Sequence, residues 1–182
     1  MAEVQSQLSK TAVNPIAQNR IAYKAAGPEY ERHYFDEQTG GYVLIHEGHN
    51  RSDDFASELF ISEVFAKQGQ VVELVDESRK EQYVRRFDAL VDGENWEFKV
   101  LTTKAKNVRG AFQQGLIKGR SQAPRIAYYI NRDAAIRDLN FGLKQAIYID
   151  REDQKIQRVA LVFRDGSINQ RSRGEIDAGQ YF

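Results

Sequence analysis

The chain has 182 residues, enough for one domain with a real core, and a hydrophobic content of 41% excludes wholesale disorder. It contains no cysteine, which excludes a disulfide scaffold and any thiolate metal site. The 26 Lys and Arg residues cancel the 26 Asp and Glu residues, so bulk charge gives no reason to expect a polyanionic partner.

In chain order, residues 1–30 are polar and weakly patterned and are expected to be a linker or a loose helix. The start carries neither the basic nor the apolar region of a signal peptide, and no apolar run reaches the length of a membrane span. The expectation is a cytoplasmic site of action, or a module delivered there by other machinery. Residues 34–45 carry Gly40 and Gly41 between apolar pairs, a turn leading into a short strand. Ser52, Asp53 and Asp54 offer an N-cap with first-turn acids for a helix over 55–68, apolar around most of its girth and ended by Gly69. Residues 71–75 read as a strand and 76–82 as a charged loop. Strands over 83–91 and 94–101 are joined by Asp92-Gly93, a strong two-residue hairpin signal. A helix over 104–119, a strand over 125–130 and a helix over 133–144 follow. A second hairpin is expected from 146–150 and 157–163 around Glu152-Asp153. Residues 31–165 are expected to form the one folded domain, and 166–182 reads as a polar C-terminal tail.

The first hairpin carries the chemistry. A two-residue loop at Asp92-Gly93 pairs Val91 with Glu94, Leu90 with Asn95, Ala89 with Trp96 and Asp88 with Glu97. Opposed residues share a face with Cβ atoms about 5 Å apart, so two carboxylates lie side by side. Like charges at that spacing call for a cation between them, and hard oxygen ligands suit Mg²⁺ or Mn²⁺. Strand alternation puts Lys99 on the face of Glu97, with Trp96, Phe98 and Val100 on the other. Alone, an alternating Glu-Phe-Lys strand is common in any half-exposed sheet. Beyond it, residues 99–132 contain no Asp or Glu but hold Lys99, Lys104, Lys106, Arg109, Lys118, Arg120, Arg125 and Arg132. Such a stretch can grip a phosphate backbone, with Lys104, Lys106 and Arg109 as the expected contacts; the bland reading is a solvated helix face.

Glu58 sits in the nearly all-apolar helix. A buried carboxylate wants a metal, a water or a helix-edge salt bridge, and Glu63 takes its place if the helix phase shifts. His46 and His49 lack a third zinc ligand apart from the distant His33, and read as loop residues near the phosphate path.

Phe87-Asp88 followed by Glu97-Phe98-Lys99 resembles the D…(D/E)-x-K site of the restriction-endonuclease-like, or PD-(D/E)XK, nuclease superfamily. Ser57 to Gly69 resembles the first helix of that core, and Gln122 a glutamine before its last strand. Phe87 stands where proline is usual. More narrowly, residues 38–132 are similar to the C-terminal tRNase-type toxin domains of contact-dependent growth-inhibition and other polymorphic toxins. The resemblance implies an α/β fold: a small mixed β-sheet flanked by helices, with an αβββαβ core and an added C-terminal hairpin. It implies a metal-dependent nuclease with Asp88, Glu97 and Glu58 as ligands, Lys99 supporting catalysis, and Gln122 near the substrate. It further implies RNA, tRNA foremost, as substrate, and a cognate immunity protein. The alternatives are a DNA endonuclease of the same fold, or a non-catalytic nucleic-acid-binding or structural module.

Overall fold

A computed structural model describes residues 14–78 and 87–182. The order is α1 (Pro15–Ala25), β1 (Tyr30–Phe35), β2 (Tyr42–His46), α2 (Phe55–Lys67), β3 (Val71–Leu74), β4 (Ala89–Val91) and β5 (Glu94–Val100). Then come α3 (Val108–Gly119), β6 (Arg125–Ile130), α4 (Ile136–Ile149), β7 (Arg158–Phe163), β8 (Ile168–Ser172) and α5 (Arg173–Asp177). All eight described strands form one mixed sheet in sequence order. The αβββαβ core is present as α2 to β6, but the sheet around it is larger than the small one expected.

Three crossovers in the chain set the layers. Parallel pairs β2/β3, β5/β6 and β6/β7 need crossovers, supplied by α2, α3 and α4. Helix α2 covers one face, where Ile61, Val64 and Phe65 pack with Val43, Ile45, Trp96, Phe98, Ala127 and Val162. Helices α3 and α4 cover the other, where Phe112, Leu116, Leu139 and Leu143 pack with Ile126, Tyr128, Val159 and Leu161. Alternation along β6 and β7 divides their side chains between the two cores, so both strands read as continuous apolar runs. Among the described residues no helix is long and apolar enough to cross a membrane.

The α2 start lacks a side-chain cap: its N-cap is Asp54, with no hydrogen bond from its side chain to the helix. Its end follows the sequence reading, with Gly69 at φ +87° and its N–H on Ala66 O.

Several expectations are corrected. Helix α1 is not loose: Asn19 Nδ2 donates to Gly40 O at 3.1 Å, and Arg32 donates to the carbonyls of Tyr23, Lys24 and Ala26. The expected hairpin around Glu152-Asp153 is absent, because 146–149 completes α4. Leu139, Gly142, Leu143 and Ala146 form a buried stripe at helical spacing, and packing on α3 overrides the strand propensity of Ile147, Tyr148 and Ile149. The C-terminal hairpin is instead β7/β8, turning at Asp165-Gly166. The polar stretch after Arg164 is no tail: it supplies edge strand β8 and α5, which opens with a Ser172/Glu175 capping box. The expected strand over 83–91 is described only as β4, and residues 79–86 of that strand and the charged loop lie outside the described residues, as do 1–13 of the N-terminal segment.

Candidate active site

The hairpin forms in the register derived from the sequence: Val91 faces Glu94, Leu90 faces Asn95 and Ala89 faces Trp96. Asp92 and Gly93 both take positive φ, 51° and 78°, the twist that a two-residue turn between right-twisted strands requires. One step further the ladder breaks. Asp88 N–H donates to Trp96 O, and the Asp88 carboxylate accepts the Phe98 N–H at 2.6 Å. The side chain thus substitutes for a ladder bond and is held against β5.

Trp96 and Phe98 turn into the α2 core, where Phe65 meets both rings. Glu97 and Lys99 share the opposite face, and the Lys99 ammonium donates to Glu97 Oε1. Glu97 is fully buried. Gly119 at the end of α3 packs over it: a Cβ there would stand 3.5 Å from Glu97 Cγ, an ordinary contact, and 3.2 Å from Ile126 Cδ1, a tight one. Asp88 and Glu97 are close enough for the charge of one to act on the other, and Glu97 Oε2 has no hydrogen-bond donor among the described residues. A buried carboxylate oxygen without a donor demands a shared proton or a cation.

Both carboxyls respond accordingly. Burial first, then the charge of Asp88, pushes Glu97 up to about 8, with Lys99 opposing. Burial likewise raises Asp88 to about 6; Glu58 and Glu77 add to the rise, while the Phe98 N–H and Lys99 hold it down.

The surrounding cavity has a volume of about 300 Å³. It lies where β2, β3 and β5 end and β4 begins. The α2 crossover leaves this edge on one face of the sheet and the α3 crossover on the other, the arrangement that opens a crevice in α/β sheets. Of the residues singled out from the sequence, Glu58, Asp88, Glu97, Lys99 and Gln122 all line it. Lys104, Lys106 and Arg109 do not. Lys104 and Lys106 stand exposed on the β5–α3 connection, just past the cavity residue Thr102. Arg109 is half-exposed, donates to Asp138 at 2.9 Å and lies over the Phe141 ring. Elsewhere in the basic stretch, Arg120 binds Asp150, Arg125 binds Glu94, and Arg132 donates to the carbonyls of Thr103 and Ala105.

The two histidines part company. His46 accepts from Gly48 N–H and lines a different cavity with Glu29, Glu47 and Asp76. His49 is buried beside the active cavity, between Glu58 and Glu77. Glu63, the alternative to Glu58, instead pairs with His33 on β1 at 3.0 Å. Asn50, Asp54 and Glu77 also line the cavity, and sequence reasoning did not reach them. Their signal is weak, because loop residues have no periodicity to reveal which way they face.

Five carboxylates and one lysine among the described residues therefore line the cavity. Among the described residues no group of three or more His, Asp or Glu side chains is arranged to hold a metal ion. The pair Asp88 and Glu97, with an oxygen that has no donor among the described residues, nevertheless fits a cation such as Mg²⁺, which commonly takes one or two carboxylates and fills its shell with water. Glu58 faces the same space from the first turn of α2, with one oxygen engaged by His49.

No curated protein and no solved structure matches the chain. Residues 85–168, just under half of it, match the family model of the contact-dependent growth inhibition CdiA C-terminal domain, and over that span, which carries Asp88, Glu97, Lys99 and Gln122, the chain is similar to that family.

Proposed function

We propose that the chain is a metal-dependent nuclease, a toxin domain that hydrolyses phosphodiester bonds, with RNA, tRNA foremost, as substrate. The observation that carries this reading is the convergence of Asp88, Glu97 and Lys99 in one cavity, with a buried Glu97 oxygen that has no donor among the described residues. The similarity of residues 85–168 to CdiA C-terminal domains supports the toxin role.

Asp88 and Glu97 would hold Mg²⁺ or Mn²⁺, with Glu58 as the third carboxylate from across the cavity. The cation, when bound, supplies Lewis-acid polarisation of the phosphate and a more acidic water. Asp88 is fixed for this by the Phe98 N–H, and Glu97 by burial under α3. Lys99, tethered to Glu97, orients the attacking water and offsets negative charge growing on the phosphoryl oxygens. Gln122 lines the cavity where a substrate group enters. Lys104, Lys106 and Arg109 contact the nucleic-acid backbone leading into it. As a toxin domain the chain would act in the cytoplasm of a target cell and be restrained by a cognate immunity protein.

The test incubates the chain with tRNA, total RNA and plasmid DNA, each with Mg²⁺, Mn²⁺ or EDTA. Cleavage of tRNA that EDTA stops is the expected outcome. Cleavage of plasmid alone makes it a DNA endonuclease, and intact substrates in every metal arm overturn the nuclease reading.

A further inference from the structure

His49 is buried with no exposed side-chain surface, yet both ring nitrogens meet acceptors. Nε2 lies 2.9 Å from Glu58 Oε2. Nδ1 lies 3.0 Å from the Val75 carbonyl and 3.0 Å from Glu77 Oε1. A carbonyl accepts only, so Nδ1 carries a proton and donates. The ring is packed against Phe55 at the start of α2, 5.8 Å between centroids, which leaves it little freedom to turn. The ring thus ties the loop after β2, the end of β3 and the first turn of α2 to a single point on the cavity wall.

Glu58 and Glu77 both line that wall, facing Asp88 closely enough to raise its pKa. Left alone, a glutamate at the first turn of a helix has three rotatable bonds and would swing toward solvent, away from two other carboxylates. One oxygen of Glu58 is pinned by His49, and the residue lines the cavity.

We infer that His49 is a positioning residue, which through the hydrogen bond between its Nε2 and Glu58 holds that carboxylate toward Asp88 and Glu97 and so sets the affinity of the site for a divalent cation. The inference rests on the nuclease reading above and adds to it a residue outside the carboxylate–lysine set. A hydrogen-bonded partner behind a ligand orients it and strengthens binding, and losing such a partner commonly weakens metal affinity about 10- to 100-fold.

The experiment separates the two arms of the ring. In His49→Gln the side-chain amide nitrogen reaches about as far as Nε2 and keeps the donor toward Glu58. In His49→Asn the amide reaches only as far as Nδ1, which keeps the Val75 arm and loses Glu58. Mn²⁺ affinity is measured by calorimetry on each, on Glu58→Gln, and on the His49→Asn/Glu58→Gln pair, beside the melting temperature. His49→Gln should stay within about threefold of wild type, and His49→Asn should lose about 10- to 100-fold. The pair should bind no more weakly than Glu58→Gln, since His49 then has no ligand to position. Wild-type affinity in His49→Asn overturns the inference and leaves the nuclease reading standing. Equal losses in the Asn and Gln variants, following the melting temperature, also overturn it, because His49 is then a packing residue. Absence of Mn²⁺ binding by the wild type overturns the metal reading itself and the inference with it.

Discussion

Two carboxyls pressed together out of water hold protons more tightly than either would alone, and the folded state then stabilises the protonated form. For Asp88, raised to about 6, and Glu97, raised to about 8, this fixes the sign of a pH effect on the metal-free protein. Below about pH 4 the folded and unfolded chains both hold these protons, and the full stabilisation is present. As the pH climbs through the folded values the two groups ionise against each other and the stabilisation is lost. In EDTA the melting temperature should therefore fall between about pH 5 and pH 8.5, at about 2–4 °C per kcal/mol for a chain of this size. Glu97→Gln should flatten that slope, and saturating Mn²⁺ should reverse it by supplying the missing charge. A melting temperature rising across the same range in EDTA would mean the pair is not a proton trap. A second outcome belongs to the same residues: Asp88→Ala or Glu97→Ala should abolish Mn²⁺ binding in calorimetry, since each removes half of the carboxylate pair. Unchanged affinity in both would place the cation elsewhere. At this scale the sequence was informative where geometry is periodic. A two-residue turn fixes register, and register placed Glu97 and Lys99 on one face and Trp96 on the other. It said nothing of Glu77 or the burial of His49, which depend on how loops fold over the strand ends.

Among the elements, the hairpin and α4 respond to different forces. The Asp92-Gly93 turn is local chemistry, legible because few residue pairs accept two positive φ values. Gly93→Ala should cost about 1 kcal/mol through the strained φ of +78° alone, since a Cβ there meets no atom within 4 Å. Helix α4 was misread over 146–150 because Ile147, Tyr148 and Ile149 favour strands, whereas the deciding stripe against α3 is a long-range contact. The residue that ends α4 shows how the C-terminal segment is fastened. Asp150 is fully buried and accepts from Arg120 at 2.5 Å, Arg173 at 2.9 Å, and the N–H groups of Lys155 and Ile156. Arg173 belongs to α5, so this carboxylate joins the end of α3, the end of α4 and a segment that looked like a polar tail. Polarity was a poor guide there, because a buried ion-pair hub is built from charged residues. Removing one partner from such a hub strands the others out of water, so Asp150→Ala should destabilise by about 3–5 kcal/mol. Chemical denaturation would measure this. The folded fraction should keep its Mn²⁺ affinity, because no residue of the hub lines the active cavity. A loss under about 1 kcal/mol would show that α5 is held by something other than Asp150.

For the whole molecule, the question is how a neutral chain would bring a polyanion to a cavity lined by five carboxylates. Charge must be separated along the surface, and the carboxylate-free span 99–132 is where the sequence separates it. The structure then divides that span by use. Arg120, Arg125 and Arg132 bind acids or carbonyls of the fold itself, and Arg109 is shared between Asp138 and the Phe141 ring. Lys104 and Lys106 are exposed on the connection that leaves the cavity at Thr102, and on the nuclease reading they would hold a strand running into it. Replacing both with Ala should weaken RNA affinity and flatten its salt dependence by about 0.7–0.9 of a log unit per lost phosphate contact. Arg109→Ala should change that slope less, because part of its charge is already engaged, and should lower stability modestly. Single-turnover cleavage at saturating enzyme should barely change in the Lys104/Lys106 variant, since on the nuclease reading these residues would bring the substrate in and take no part in the chemistry. Lys99→Ala should behave in the opposite way, keeping affinity and losing rate. Fluorescence anisotropy over a salt series, beside single-turnover rates, reads all three variants. Wild-type affinity and slope in the Lys104/Lys106 variant would make the exposed lysines a solvated surface and move the substrate path to another side of the cavity. Equal loss of affinity and rate in Lys99→Ala would instead make Lys99 a binding residue, and the division between grip and chemistry would fail.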